Sequence, residues 1–176
     1  AQYGVIVNND VLDSLGLKLP ENADSWTWDE FEDFAKKVAD ASNGKIVGAI
    51  APNNGYALQL WARQHGERLF KGDTVAISPG TLAKFLQMPA DWVDNGIEVS
   101  KETWSENVTA SLNDSAFGKG QHAMMLTQAS QITPYAQAAR TSNMTLLPVP
   151  QVKPGAKTNY LKPGMYWCIS SGSQHP

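Results

Sequence analysis

Along this 176-residue chain, short apolar runs alternate with segments whose apolar residues recur at helical spacing, and that alternation constrains the fold more than any single motif. Tyr3-Gly-Val-Ile-Val7 is brief and β-branched, which predicts a buried strand, and Asn8-Asn9-Asp10 offers capping groups for a short helix stopped by Gly16. After a polar loop from Pro20 to Ser25, Thr27-Trp-Asp-Glu30 has the form of a capping box. Its threonine hydroxyl can accept from the N–H three residues on while Glu30 reaches back. The helix started there gathers Trp28, Phe31, Phe34, Ala35, Val38 and Ala39 on one side and leaves Asp29, Glu32, Asp33, Lys36 and Lys37 for water.

The same grammar continues to the end. Lys45 to Ile50 reads as a strand, Pro52-Asn53-Asn54-Gly55 as the turn that begins a helix, and Thr74 to Ile77 as another strand. Ser78-Pro79 supplies an N-cap with proline at the first helical position. Gly96 stops that helix, and Pro89 predicts a kink near Met88 because its ring clashes with the preceding turn. Ser105 to Phe117 reads as a helix closed by Gly118-Lys-Gly120, Ala123 to Leu126 as a buried strand, and Ser130 to Arg140 as a further helix. Met144 to Val149 and Tyr166 to Ser170 are the remaining strands, separated by a loop rich in Pro, Gly and Lys. Strands alternating with helices predict an α/β sandwich with helices on both faces of the sheet.

Composition narrows what such a fold does. Hydrophobic side chains make up 42% of the chain, enough for one domain over residues 1–176. Lys and Arg together number 14 against 17 acids and form no basic stripe, which excludes nucleic acid as the expected partner. No apolar run approaches the roughly 20 residues that span a bilayer. With Cys168 the sole cysteine, no internal disulfide can form, and its apolar neighbours predict a buried strand thiol. The absence of an initiator Met and a strand-like run close to the last residue suggest a piece of a longer chain.

Catalytic and metal chemistry finds no foothold. His65, His122 and His175 lack a second ligand at metal-binding spacing, Gly118-Lys-Gly120 is neither a P-loop nor a dinucleotide fingerprint, and Ser170-Ser-Gly-Ser173 lacks the frame of a nucleophile elbow. The paired acids Asp29/Glu30 and Asp91/Asp94 read as solvated helix faces. No cofactor is expected.

Taken in order, the segments Val5 to Leu17, Ser25-Trp-Thr-Trp-Asp-Glu-Phe31, Gly66-Glu-Arg-Leu-Phe70, Phe117-Gly-Lys-Gly-Gln-His-Ala-Met124, Leu146-Leu-Pro-Val-Pro150 and Tyr166 to Ser170 resemble the second lobe of family 1 extracellular solute-binding proteins. The Trp-Asp-Glu-Phe helix start is the most specific of these. The resemblance implies a three-layer αβα sandwich lobe of a type II periplasmic-binding-protein-like fold. It implies a parent protein of two lobes closing on a ligand, with the first lobe, signal sequence and carboxy-terminal helices outside this chain. The implied function is reversible capture of a sugar or related polyhydroxylated solute for the transmembrane subunits of an ABC permease. The setting is periplasmic or extracellular, with lipid anchoring left open.

By position, the resemblance carries ligand contacts onto three loops. The first holds Asn54 and Tyr56, with Gln59 and Trp61 on the following helix; an aromatic ring binds the C–H face of a pyranose while amides bond its hydroxyls. Core packing is an equal reading of Trp61. The second holds Thr127, Gln128 and Ser130, where Ser130 replaces a stacking Trp of several members and weakens any inference of a long oligosaccharide. The third holds Gly164, Met165 and Tyr166, with the glycine admitting backbone close to the ligand. The competing readings are a ligand-sensing or enzymatic domain on the same bilobal scaffold, or a binder of a non-sugar solute.

Overall fold

The computed structural model describes residues 2–98, 110–156, 159–160 and 166–174. Strand β1 (Tyr3–Asn8) is buried throughout and leads directly into α1 (Asn9–Ser14), where the Asn8 side chain accepts from the Val11 N–H. The predicted capping box starts α2 (Trp28–Ala41), with the Thr27 hydroxyl and the Glu30 carboxylate each accepting from the other's backbone N–H. Next come β2 (Val47–Ile50), α3 (Gly55–Gln64), a hairpin of β3 (Phe70–Lys71) and β4 (Thr74–Val75), and α4 (Pro79–Asp94). Strand β5 (His122–Gln128), a 3-10 turn (Ala129–Gln131), α5 (Ile132–Ala138) and β6 (Met144–Leu147) complete the order among the described residues.

The main sheet has the order β2-β5-β1-β6, with β2 parallel to β5 and β1 antiparallel to both β5 and β6. This topology brings the start of β1 and the carboxyl ends of β2 and β5 to one edge, where Tyr3 lies opposite Gln128. Strand alternation divides the interior. Val5, Val7, Met124 and Leu126 join a large core with Trp28, Phe31, Trp61, Phe85 and Trp92 of α2, α3 and α4, whereas Ile6 and Met125 meet Phe117, Ile132 and Tyr135 in a smaller one. The sheet is therefore covered on both faces, as the sequence predicts.

Edge-to-face aromatic pairs set the helix packing: Trp26 on Phe31 with ring centroids 5.1 Å apart, and Trp28 on Trp61 at 5.8 Å. Buried Gln64 ties the layers together. Its carbonyl oxygen accepts from the Trp28 indole (3.0 Å) and the Val152 N–H (3.2 Å), and its amide donates to the Pro150 carbonyl (2.9 Å). The long loop after β6 is thus fastened to α2 and α3.

Helix α4 is continuous through Pro89, where the missing N–H forgoes a single bond, with buried Phe85, Met88 and Trp92 on either side. Several expectations need correction. The strand read over Thr74 to Ile77 is a two-residue partner in a hairpin outside the main sheet, turned by Gly72 at φ 59°. The helix read from Ser105 begins outside the described residues, and from Ala110 to Phe117 the chain makes turns. Tyr166 to Ser170 is not a strand: Tyr166, Trp167 and Ile169 are exposed, and so is Cys168, so its thiol is not the buried one expected. Strand propensity reports fit to a pleated surface, and here that surface is not supplied.

Two buried positions carry measurable consequences. Gly48 lies against the backbone of α2, and a Cβ there would overlap the Ala35 carbonyl. Gly48→Ala should lower stability by about 3 kcal/mol, read from the denaturant midpoint at constant m-value. His122 is 1% exposed, and neither ring nitrogen has a hydrogen-bond partner. Burial lowers its pKa to about 4. An unfolded chain takes up this proton near its ordinary 6.5 while the fold refuses it, so stability falls as pH drops from 6.5 towards 4, by about 3 kcal/mol in all. In His122→Leu, a pH series of thermal melts should lose that part of the acid slope.

Candidate functional site

At the carboxyl ends of parallel strands the backbone diverges into loops, and open α/β sheets commonly bind ligands in the crevice that results. Here that place is the edge holding the ends of β2 and β5. Asn54, the N-cap of α3, stands at its centre: its carbonyl oxygen accepts from the N–H groups of Tyr56 and Ala57 (both 3.1 Å), and its amide donates to the Tyr3 hydroxyl (2.8 Å). That hydroxyl donates in turn to the Leu126 carbonyl at 3.1 Å. Burial pushes the Tyr3 phenol pKa up, which keeps it a neutral donor.

Three concavities meet around this pivot. A cavity of about 260 Å³ is lined by Pro52, Asn53, Asn54, Ser115, Thr127 and Tyr135 among others, a mixture of polar and apolar groups. A narrow cleft of about 10 Å³ lies between Tyr3, Tyr56, Gln128, Asn159 and Tyr160. An apolar groove of about 650 Å³ runs from Tyr56 and Gln59 along the β3–β4 hairpin.

The structure therefore brings Asn54, Tyr56, Gln59, Thr127 and Gln128 to one edge. Thr127 and Gln128 end β5 and do not sit in a loop as expected; the strand extends because it pairs with β1 as far as Tyr3. Gln59 lines the groove, and its carbonyl oxygen accepts from the Tyr160 hydroxyl at 2.8 Å. Trp61 is elsewhere: 9% exposed, it packs against Trp28 and Phe85 and donates its indole N–H to the Thr81 carbonyl at 3.0 Å, so of its two readings the core one is correct. Ser130 is exposed in the 3-10 turn and lines none of the three concavities, and neither does Tyr166, at 76% exposure. Gly164 and Met165 lie outside the described residues.

Sequence reading missed three participants. Tyr3 reads only as a strand residue. Asn159 and Tyr160 lie in a loop with no motif, yet Asn159 exchanges two bonds with the Tyr3 backbone (2.8 and 3.3 Å), and the Arg63 guanidinium stands 5.3 Å from the Tyr160 ring centre. For Tyr160 the available signal was an aromatic beside an amide, as at Asn159-Tyr160. Asn54→Ala should cost about 1 kcal/mol of stability through loss of the cap, whereas Asn54→Asp keeps the cap and removes only the donor to Tyr3; thermal melts of the pair separate the two roles.

The sequence model of a family described as bacterial extracellular solute-binding protein matches residues 1–176. An extracellular solute-binding protein of family 1 from Alicyclobacillus acidocaldarius superposes with a TM-score of 0.76 at 22% identity, over 99% of this chain and 43% of that one. An ABC substrate-binding protein from Listeria monocytogenes in complex with cycloalternan gives 0.65 at 24%, over 85% and 37%. A sugar transporter from Rhizobium etli in an open conformation gives 0.66 at 20%, over 90% and 40%. No curated protein sequence matches. The chain spans less than half the length of each of these structures, and at such identities they establish the fold. Match over its whole length to the family's sequence model shows that this chain belongs to the bacterial extracellular solute-binding proteins.

Proposed function

We propose that this chain is most of one lobe of a two-lobe protein, and that the whole protein captures a carbohydrate reversibly between its lobes and delivers it to the transmembrane subunits of an ABC permease. The single observation that carries this reading is the convergence of Tyr56 and Gln128 on one cleft, beside the cavity lined by Asn54 and Thr127. An aromatic ring flanked by amides and a hydroxyl complements a pyranose, which has an apolar C–H face and a rim of hydroxyls. The cycloalternan complex of the Listeria relative agrees with that chemistry.

Binding without turnover is the activity. The family is one of binding proteins, and the edge presents a ring and amides for reversible contacts that break when the lobes part. The place of work is the periplasm or the outer surface of the cell, as the family description implies. No helix among the described residues is long and apolar enough to cross a membrane.

Calorimetry of the full-length protein against mono- and oligosaccharides should give saturable heats; heat only with amino acids, peptides or metal ions overturns the carbohydrate assignment. Tyr56→Ala should weaken the best sugar by about tenfold, the worth of one stacked ring. Ser130→Ala should leave its affinity within about twofold. Equal losses at both positions would move the site away from this edge.

A further inference from the structure

The β3–β4 hairpin holds Phe70 directly opposite Val75, and both side chains are largely exposed, at 59% and 62%. Together with Leu58, Leu69, Ile77 and Leu82 they form the apolar wall of the 650 Å³ groove, where the side-chain amides among the described lining residues are Asn54 and Gln59. Both amide oxygens already accept bonds within the chain, Asn54 from the first turn of α3 and Gln59 from Tyr160. A ring of hydroxyls seated along this wall would lose water and gain few partners, which costs free energy, whereas a hydrocarbon group gains by leaving water there.

The groove is also set in advance. Two-residue strands are marginal alone, and this hairpin is clamped at its base. The Glu67 carboxylate accepts from the Ser78 N–H (2.7 Å), the Ser78 hydroxyl (2.9 Å) and the Thr81 hydroxyl (2.7 Å), fixing the chain that enters β3 to the start of α4. These bonds hold the Glu67 carboxyl below the usual carboxylate pKa, so the clamp stays charged near neutrality. A preformed apolar wall loses little conformational entropy when occupied.

We infer that the ligand wall has two chemically distinct parts, and that the groove between α3 and the β3–β4 hairpin receives an alkyl or aryl group carried by the sugar bound at Tyr56. The inference rests on the carbohydrate reading above, because Tyr56 and Asn54 belong to both the sugar-facing concavities and the groove. The occupant is a substituent of the same solute, since the groove shares Asn54 and Tyr56 with the sugar-facing concavities.

The test compares, in the full-length protein, the dissociation constant of the best-binding free sugar with those of its 4-nitrophenyl and n-octyl glycosides. The glycosides should bind about tenfold more tightly, and Phe70→Ser and Val75→Asp should erase that gain while leaving the free sugar within about twofold. If the free sugar binds and neither glycoside is tighter, the inference is overturned and the carbohydrate reading stands. A gain that persists in both variants overturns the placement. If no sugar or glycoside binds, both readings fall together. The comparison in the unaltered protein decides the matter even where a variant is unstable.

Discussion

One phenolic hydroxyl joins the elements that form the edge at the carboxyl ends of β2 and β5. Tyr3 opens the central antiparallel strand, and its oxygen receives the Asn54 amide and gives its own proton to the Leu126 carbonyl. Three elements distant in sequence, β1, the cap of α3 and the end of β5, are thereby held at hydrogen-bond distance. Because the Tyr3 hydroxyl is buried, losing either partner leaves it a desolvated polar group, so the arrangement resists partial opening. Asn159 clasps the same tyrosine from its backbone side and brings Tyr160 to the mouth of the edge.

Behind this edge the lobe is built for rigidity. Helices α2, α3 and α4 share one aromatic interior, and Gln64 of α3 links α2 to the loop after β6 with both ends of its amide. Interiors packed in this way deform little. Loops anchored to such a base keep their geometry.

The edge itself is not uniform. On one side of Asn54 lies a cavity of mixed polarity closed by Thr127 and Tyr135, and on the other a groove walled by leucines, Phe70 and Val75. Asn54 contributes to both while its own hydrogen bonds point inward to Tyr3 and α3. It serves as a partition between a mixed-polarity cavity and an apolar groove.

Much of the scaffold was legible in the residues. The capping box at Thr27, the cap at Asn8 and the proline at position 79 depend on interactions within a few residues, and local chemistry is what a sequence displays directly. Asn54, Tyr56, Thr127 and Gln128 were found by position and do share one edge. Other outcomes depended on partners far away along the chain. Trp61 became core because Trp28, Phe85 and the Thr81 carbonyl surround it, Thr127 became strand because β1 extends beside it, and Tyr166 stayed out of any sheet. Tyr3 and Tyr160 acquired roles only when residues over fifty and a hundred positions away arrived beside them. Periodicity and capping determine which segments coil or extend, since those preferences are settled among near neighbours. Which side chains then face a common cleft is decided by strand order and register, which exist only once the chain has closed on itself.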